Sequence, residues 1–374
     1  MIAVRPLRNA GRSGVGPLCV MVGPSGAAQG GVASVMQVLS DAALFSNGQV
    51  RLLTSFSAGS KLDKLRVAVT ALGAYLRLLA RGQAPVLHVH VSSNASFWRK
   101  AVFIWAAVLA RRKVVFHLHG GGFRAFVESR GFLARFVVLA TIRRSAQLLY
   151  LATPVGDWLR SVAPGVPAQW WPNPVPDALF GTNSDQLAKP PVALFLGALL
   201  PAKGVADLLV AFAQLQAANP DARLVVAGSG PERAALEAQA NRLGLGGQVQ
   251  FLGWIDAQAR VHWLGCARVL VLPSHLEAQP MVLLEAMAAG VPLVSTNVGG
   301  IPDIVSDGED GILVAPQRPD QLAQALCALW PDGRRRSCLA AKARVRTHQR
   351  HGAGAVCAAL LALYGELSNA EVGR

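Results

Sequence analysis

Val269-Leu270-Val271-Leu272-Pro273 runs into the loop Ser274-His275-Leu276-Glu277-Ala278-Gln279-Pro280. Met281-Val282-Leu283-Leu284-Glu285-Ala286-Met287-Ala288-Ala289-Gly290 follows, and then Val291-Pro292-Leu293-Val294-Ser295-Thr296. The first run is short, apolar and β-branched, and a proline closes it, which is the pattern of a buried strand. Glu285 to Ala289 reads as helix, stopped by Gly290 and Pro292. Pro292 to Thr296 reads as a second strand. Strand, helix and strand in this order form one parallel βα unit, and an α/β fold follows if the unit repeats.

It does repeat. Upstream, strands are expected at Val192 to Gly197, Arg223 to Ala227 and Val249 to Leu252, and downstream at Gly311 to Val314. A first series precedes these: Leu18 to Val22, Val50 to Thr54, Val86 to Val91, Val114 to Leu118 and Gln147 to Ala152. Helices of that series are expected at Leu62 to Ala80, Phe97 to Ala110 and Phe132 to Arg144. Between the two series lies Trp170-Trp171-Pro172-Asn173-Pro174-Val175-Pro176, where proline forbids regular ladders. A linker is placed between Asn173 and Pro190. The fold expected is α/β, two Rossmann-like α/β/α domains facing a cleft. Residues 1–16 read as a loose tail, 17–180 as an N-terminal Rossmann-like domain, and 181–351 as a C-terminal one. A C-terminal helix, about 352–374, is expected to pack on the first domain.

The chain of 374 residues is 52% hydrophobic and 15% charged, which excludes a disordered chain. Its net charge of +15 is uneven: residues 1–185 carry 20 Lys/Arg against 6 Asp/Glu, and residues 186–374 carry 16 against 15. The first half therefore suits an anionic partner. Five scattered cysteines without a C-x-x-C pair suggest buried thiols in a reducing compartment. No apolar h-region opens the chain, and no apolar run is long enough to span a bilayer.

The loop and helix quoted first carry the chemistry. A helix starting near Pro280 leaves the amides of Met281, Val282 and Leu283 without helical acceptors, and such a terminus suits a phosphate. Glu277 stands at the mouth of this anion site. Glu285, eight residues on, lies along its side. Carboxylates so placed suit sugar or ribose hydroxyls. An ordinary helix with a solvated glutamate is the competing reading from the residues alone.

The segment from Leu276 to Val305 resembles the E-x7-E donor block of the retaining GT-B glycosyltransferases, family 4. Further pieces resemble the same family: Gly30-Gly31-Val32, His117 to Gly121, Pro172 to Val175, Phe195 to Gly204, Val225 to Glu232 and Phe251 to Trp254. The resemblance implies that the domain 17–180 is the acceptor side and that 181–351 binds the nucleotide sugar. It implies that Glu285 holds the ribose hydroxyls of a nucleotide sugar and Glu277 binds donor-sugar hydroxyls. It implies that the Met281, Val282 and Leu283 amides take the diphosphate, with Lys203 neutralising the diphosphate as it leaves. His119 would be the first-lobe residue nearest the transferred sugar, and the base would lie near Gly253, Trp254 and Ile255. Ala198 stands where the family often has Arg; Arg124 or the helix dipole is the expected compensation.

Other motifs leave alternatives open. Gly228-Ser229-Gly230-Pro231 follows a strand, but Arg233 replaces the last glycine of a dinucleotide fingerprint, so Gly230 reads as a turn near the nucleotide. Gly30 and Gly31 precede a helix, either as a plain loop pair or as a phosphate-binding terminus. His88, His90, His117 and His119 form two His-x-His pairs. Alternation puts each pair on one face, and no carboxylate accompanies them, so no metal is assigned. Phe97, Trp98, Arg99, Lys100, Phe103, Trp105, Arg111, Arg112 and Lys113 lie on or beside one helix. With the helix Leu62 to Arg81, they read as a surface lying in the lipid headgroup plane.

The resemblance implies a retaining, metal-independent glycosyltransferase using a UDP- or GDP-linked sugar, with no cofactor. Its acceptor would be a lipid-linked oligosaccharide of exopolysaccharide assembly, met at the inner face of the cytoplasmic membrane. A nucleotide-sugar epimerase of the same fold is one alternative, but acid/base groups for it are not found. A nucleic-acid-binding module is another, and the aromatic content of 6% argues against it.

Overall fold

The computed structural model describes residues 16–26, 28, 30–57, 59–181 and 190–369. Most of the expected N-terminal tail, and residues 182–189 of the expected linker, lie outside them. The described chain divides into two compact units. One runs to Pro174 and takes in the segment from Ala353; the other is Val175–Gly352.

The first unit alternates β1 (Cys19–Pro24), α1 (Gly31–Asp41), β2 (Val50–Phe56), α2 (Lys61–Ala80), β3 (Val86–Val91), α3 (Ala95–Leu109) and β4 (Lys113–Leu118). Then follow α4 (Phe123–Glu128), α5 (Phe132–Arg143), β5 (Gln147–Tyr150), α6 (Thr153–Val162) and β6 (Ala168–Trp170). All six strands are parallel, in the order β2-β1-β3-β4-β5-β6. One sheet face presents Val20, Val22, Leu87, Val89, Val91, Phe116 and Leu118 to α2, α3 and α5, and this is the main core of the unit.

Within α3 the sequence expectation needs correction. Phe97, Lys100 and Phe103 face the core rather than solvent. Their spacing of three matches one helical stripe, and Ile104 and Ala107 continue it. Lys100 is 3% exposed and donates to Ser96 Oγ at 2.7 Å. Burial, with Arg99 beside it, pulls the Lys100 ammonium down to about 7. Trp105 donates to Thr141 Oγ1 at 3.0 Å, which ties α3 to α5. The outward residues of α3 are Trp98, Val102 and Leu109.

The second unit alternates β7 (Val192–Leu196), α7 (Val205–Ala218), β8 (Arg223–Ala227), α8 (Arg233–Arg242), β9 (Val249–Gly253), α9 (Ala257–Cys266) and β10 (Val269–Leu272). It continues with α10 (Met281–Ala288), β11 (Leu293–Thr296), α11 (Ile301–Ile304), β12 (Ile312–Val314), α12 (Pro319–Leu329) and α13 (Gly333–His351). Its six parallel strands follow the order β12-β11-β10-β7-β8-β9. The last helix, α14 (Ala353–Asn369), belongs to the first unit, where it packs on α1 and β3. No described helix is long and apolar enough to cross a membrane.

Candidate active site

In the second unit the chain winds outward from β7 through β8 to β9, then returns to the other side of β7 and winds through β10, β11 and β12. The connections after β7 and β10 thus leave in opposite directions. In an open parallel sheet this switch point, at the carboxyl ends of the strands, is where ligands bind. Lys203 is in the connection after β7, and Glu277 is in the connection after β10. Lys203 Nζ lies 2.5 Å from Glu277 Oε1, and Ser274 Oγ donates to the same oxygen at 2.8 Å. Two residues 74 apart in sequence therefore meet at the position that the topology marks for a ligand.

Local structure makes this meeting possible. Pro201–Lys203 is a single 3-10 turn, and Gly204 follows with φ 66°, opening α7. A Cβ on Gly204 would stand 2.1 Å from the carbonyl oxygen of Pro273, so only glycine lets the two connections touch. The contact is fastened twice more. The His275 amide donates to the Ala202 carbonyl at 2.8 Å, and His275 Nε2 lies 2.8 Å from Asp207 Oδ2.

Helix α10 begins directly behind Glu277. Pro280 is its N-cap and supplies no side-chain hydrogen bond. The Met281 and Val282 amides, in the first turn, have no intrahelical acceptor. Leu283 departs from the expectation: its amide donates to the Pro280 carbonyl at 3.2 Å, in a tight first turn. Glu285 lies on the same helix, buried, with Oε1 2.9 Å from an Nη of Arg260 on α9. Burial pushes the Glu285 carboxyl up, against the pull of Arg260. Lys203, Glu277, Glu285 and the α10 terminus thus form one group: two carboxylates, each held by a cation, beside two free amides. Such a group can accept from sugar hydroxyls at the carboxylates and hold a diphosphate at the amides and Lys203.

Gly230 is a support for this group. A Cβ there would lie 2.2 Å from the Leu199 carbonyl oxygen, and Leu199 N donates to Ser229 O at 2.9 Å. The turn after β8 therefore holds the turn that leads to Lys203. Ile255, half-buried, follows β9. Ala198 carries no cation, and Arg124, the compensation expected from sequence, is exposed in the first unit and paired with Glu128 at 2.7 Å. Arg260 and Ser274 were not singled out by the sequence reading. Arg260 is a basic residue within α9, and nothing in the spacing points it at Glu285, 25 residues away.

The remaining expected residues lie in the first unit. Gly30, with φ 122°, caps α1, and Gly31 is its first residue; both are exposed. His119 follows β4, half-buried, and its amide donates to the Val91 carbonyl at 2.8 Å. Burial and the nearby Lys100 charge hold His119 down to about 3. At neutral pH it is an uncharged imidazole that can hydrogen-bond a hydroxyl but has no imidazolium proton to give.

Residues 182–346 match the family described as glycosyl transferases group 1. This stretch is a group 1 glycosyltransferase domain. It spans the whole cluster around Lys203, Glu277 and Glu285. Among relatives, the chain is 32% identical over 261 residues to a D-inositol 3-phosphate glycosyltransferase of Xylanimonas cellulosilytica, covering 67% of this chain and 62% of that one. It is 34% identical over 182 residues to the phosphatidyl-myo-inositol mannosyltransferase of Mycolicibacterium smegmatis, covering 48% and 46%. The matches thus span about half to under two thirds of these relatives. Among solved structures, the sucrose-phosphate synthase of Thermosynechococcus elongatus superposes with a TM-score of 0.78 at 23% identity, over 95% of this chain and 100% of that one. Anabaena Alr3699/HepE, solved with UDP and glucose, gives 0.72 at 18% identity, over 93% and 99%. These likenesses give the fold: two parallel α/β domains of the GT-B type, as the resemblance implies, each with six strands rather than the five expected in the first.

Proposed function

We propose that the chain is a retaining glycosyltransferase, moving a sugar from a UDP- or GDP-linked donor to a hydroxyl of a lipid-linked saccharide in exopolysaccharide assembly. The observation that carries this reading is the Lys203–Glu277 pair at the switch point, flanked by the α10 terminus and Glu285. Glu285 accepts from the ribose hydroxyls, Glu277 from the donor sugar, and the Met281 and Val282 amides with Lys203 hold the diphosphate. Charge builds on that diphosphate as the glycosidic bond breaks, so donors already aimed at it stabilise the transition state. The acceptor hydroxyl attacks from the face that the diphosphate leaves, and its proton passes to the departing phosphate oxygen. Lys203 and the helix terminus supply the positive charge, so transfer needs no divalent cation at the diphosphate.

A panel of nucleotide sugars, with and without a lipid-linked acceptor and in the presence of chelator, tests this reading. Acceptor-dependent release of UDP or GDP supports it. Sugar isomerisation without release would favour an epimerase. Glu285→Ala is expected to raise the donor KM about 10-fold or more, since each lost buried hydrogen bond is worth about 1–3 kcal/mol. Calorimetry giving wild-type donor affinity in that variant would exclude Glu285 from the donor site.

The lipid-linked acceptor implies contact with a membrane. Three helices on one side of the first sheet carry outward apolar residues: Leu62, Leu65 and Val69 on α2, Trp98, Val102 and Leu109 on α3, and Phe132, Leu133 and Phe136 on α5. Leu62 is 77% exposed and Phe132 83%. Exposed Arg66, Arg77, Arg111 and Arg135 lie among them. Apolar side chains ringed by cations suit an anionic bilayer at headgroup depth, and each cation is worth about 1 kcal/mol there. The wild-type protein is expected to sediment with anionic vesicles at low salt, less at high salt, and not with neutral ones. Changing Phe132 and Phe136 to Ser and Arg135 to Glu should abolish sedimentation. Equal sedimentation of this variant would remove α5 from the contact.

A further inference from the structure

The first unit brings its four histidines together on the sheet face that α14 covers. His90 and His117 are register partners on β3 and β4, so their side chains stand next to each other on one face. His88 precedes His90 by two residues and shares that face. His90 is 1% exposed, His117 3%, and His88 is fully buried. One ring nitrogen from each of His88, His90 and His117 lies within 4.8 Å of the other two. His88 Nδ1 meets Tyr364 Oη at 2.5 Å, and His90 Nδ1 meets His119 Nε2 at 2.7 Å. The Nε2 atoms of His90 and His117 are buried and have no hydrogen-bond partner. Buried polar atoms in natural cores are almost always satisfied, so two such nitrogens in one cluster point to a missing ligand.

We propose that His88, His90 and His117 form a buried three-histidine site for a transition-metal cation of zinc's class. An imidazole-only set suits zinc and its neighbours and not magnesium or calcium, which take oxygen ligands. Burial holds all three rings in the uncharged form, which is the form that binds a metal. Zinc–nitrogen bonds of about 2.0–2.1 Å set tetrahedral donors roughly 3.3 Å apart, so each ring need move inward by under about 1 Å. His88 exchanges its 3.2 Å contact with His117 Nδ1 for the metal and keeps Tyr364 on its other nitrogen. With the metal on His90 Nε2, the ring proton sits on Nδ1 and is donated to His119 Nε2. Tyr364 and His119 then act as the outer partners that orient metal-bound histidines. The site is separate from the Lys203–Glu277 group and does not depend on its reading.

The test uses the full chain, freed of any affinity tag, stripped with chelator and titrated with Zn²⁺ against a chromophoric competitor. One equivalent should bind and raise Tm. Co²⁺ in its place should give the visible absorption of a tetrahedral nitrogen-ligated ion. His90→Gln and His117→Gln, checked for folding by circular dichroism, should each weaken binding by at least roughly 10-fold. His262→Ala should bind as wild type; its exposed ring, 3.7 Å from Cys266 Sγ, is the obvious adventitious site. No bound equivalent, or loss of binding in His262→Ala, overturns the proposal. If the glutamine variants fail to fold, the cobalt spectrum of the unaltered protein decides: a thiolate charge-transfer band overturns the site, and its absence with the visible band supports it.

Discussion

Lys203→Ala is expected to lower kcat by about 10²–10³ while raising the donor KM far less, because the charge Lys203 faces grows as the nucleoside diphosphate leaves. The ammonium is 2.5 Å from Glu277 Oε1 and the pair is mostly shielded from solvent. Binding a diphosphate therefore means sharing Lys203 between a carboxylate and a phosphate, and the phosphate's share rises toward the transition state. Among the described residues, removing the lysine also leaves the Glu277 carboxylate with the Ser274 hydroxyl alone. That is a separate cost to folding, of about 1–3 kcal/mol for a partly buried charge. The two effects come apart in the double variant Lys203→Ala/Glu277→Gln. Its melting temperature should recover toward wild type, and its kcat should not. Single-turnover measurement of both variants checks this. A kcat within twofold of wild type in Lys203→Ala would mean that another group carries the leaving-group charge, with Arg260, which pairs with Glu285 in the same unit, as a candidate.

The sequence was most legible where a residue's role depends on its own segment. Val86–Val91 and Arg223–Ala227 are found with both ends as predicted, because an apolar run bounded by breakers fixes a buried strand locally. The start of α10 at Met281, after Pro280, followed from the same kind of local signal. The three-residue β6, closed in by Pro167 and Pro172, was too short to register as a strand. Roles that depend on a partner far along the chain were not readable. Arg260 reaches Glu285 from another helix. His275 meets Asp207 across two connections that only the sheet order makes adjacent. Alternation put the members of each histidine pair on one face, but the joining of the pairs needs the β3–β4 register. The error in α3 is of another kind. Aromatic and basic residues close in sequence were read as one surface, although Phe97, Lys100 and Phe103 recur at helical spacing and so mark the buried stripe. The exposed apolar residues of α5, Phe132, Leu133 and Phe136, were readable by the same periodicity and were missed.

That buried stripe leads to a pH effect centred on Lys100. Its ammonium is pulled down to about 7 in the folded protein, first by burial and then by Arg99, against about 10.4 in an unfolded chain. Around it lie the Ser96 hydroxyl, and His90 and His119, both of which its charge pushes down. A base whose pKa falls on folding destabilises the fold while it is charged. Below about pH 7 both states hold the proton and the full cost applies. Between about 7 and 10.4 the unfolded chain holds the proton and the folded one does not, so stability rises with pH; above that range the effect is constant. A gap of about three units corresponds to roughly 4 kcal/mol, a large share of the stability of an ordinary domain. Lys100→Met fills nearly the same volume without the charge. It should be more stable than wild type by most of that amount at pH 6.5, and the advantage should shrink steadily toward pH 10. Calorimetric melting of both proteins across this range isolates Lys100, since every other titrating group is common to the two. A difference in Tm that stays constant from pH 6.5 to 10 would mean that Lys100 keeps its proton in the fold, with water or an unseen anion reaching its ammonium.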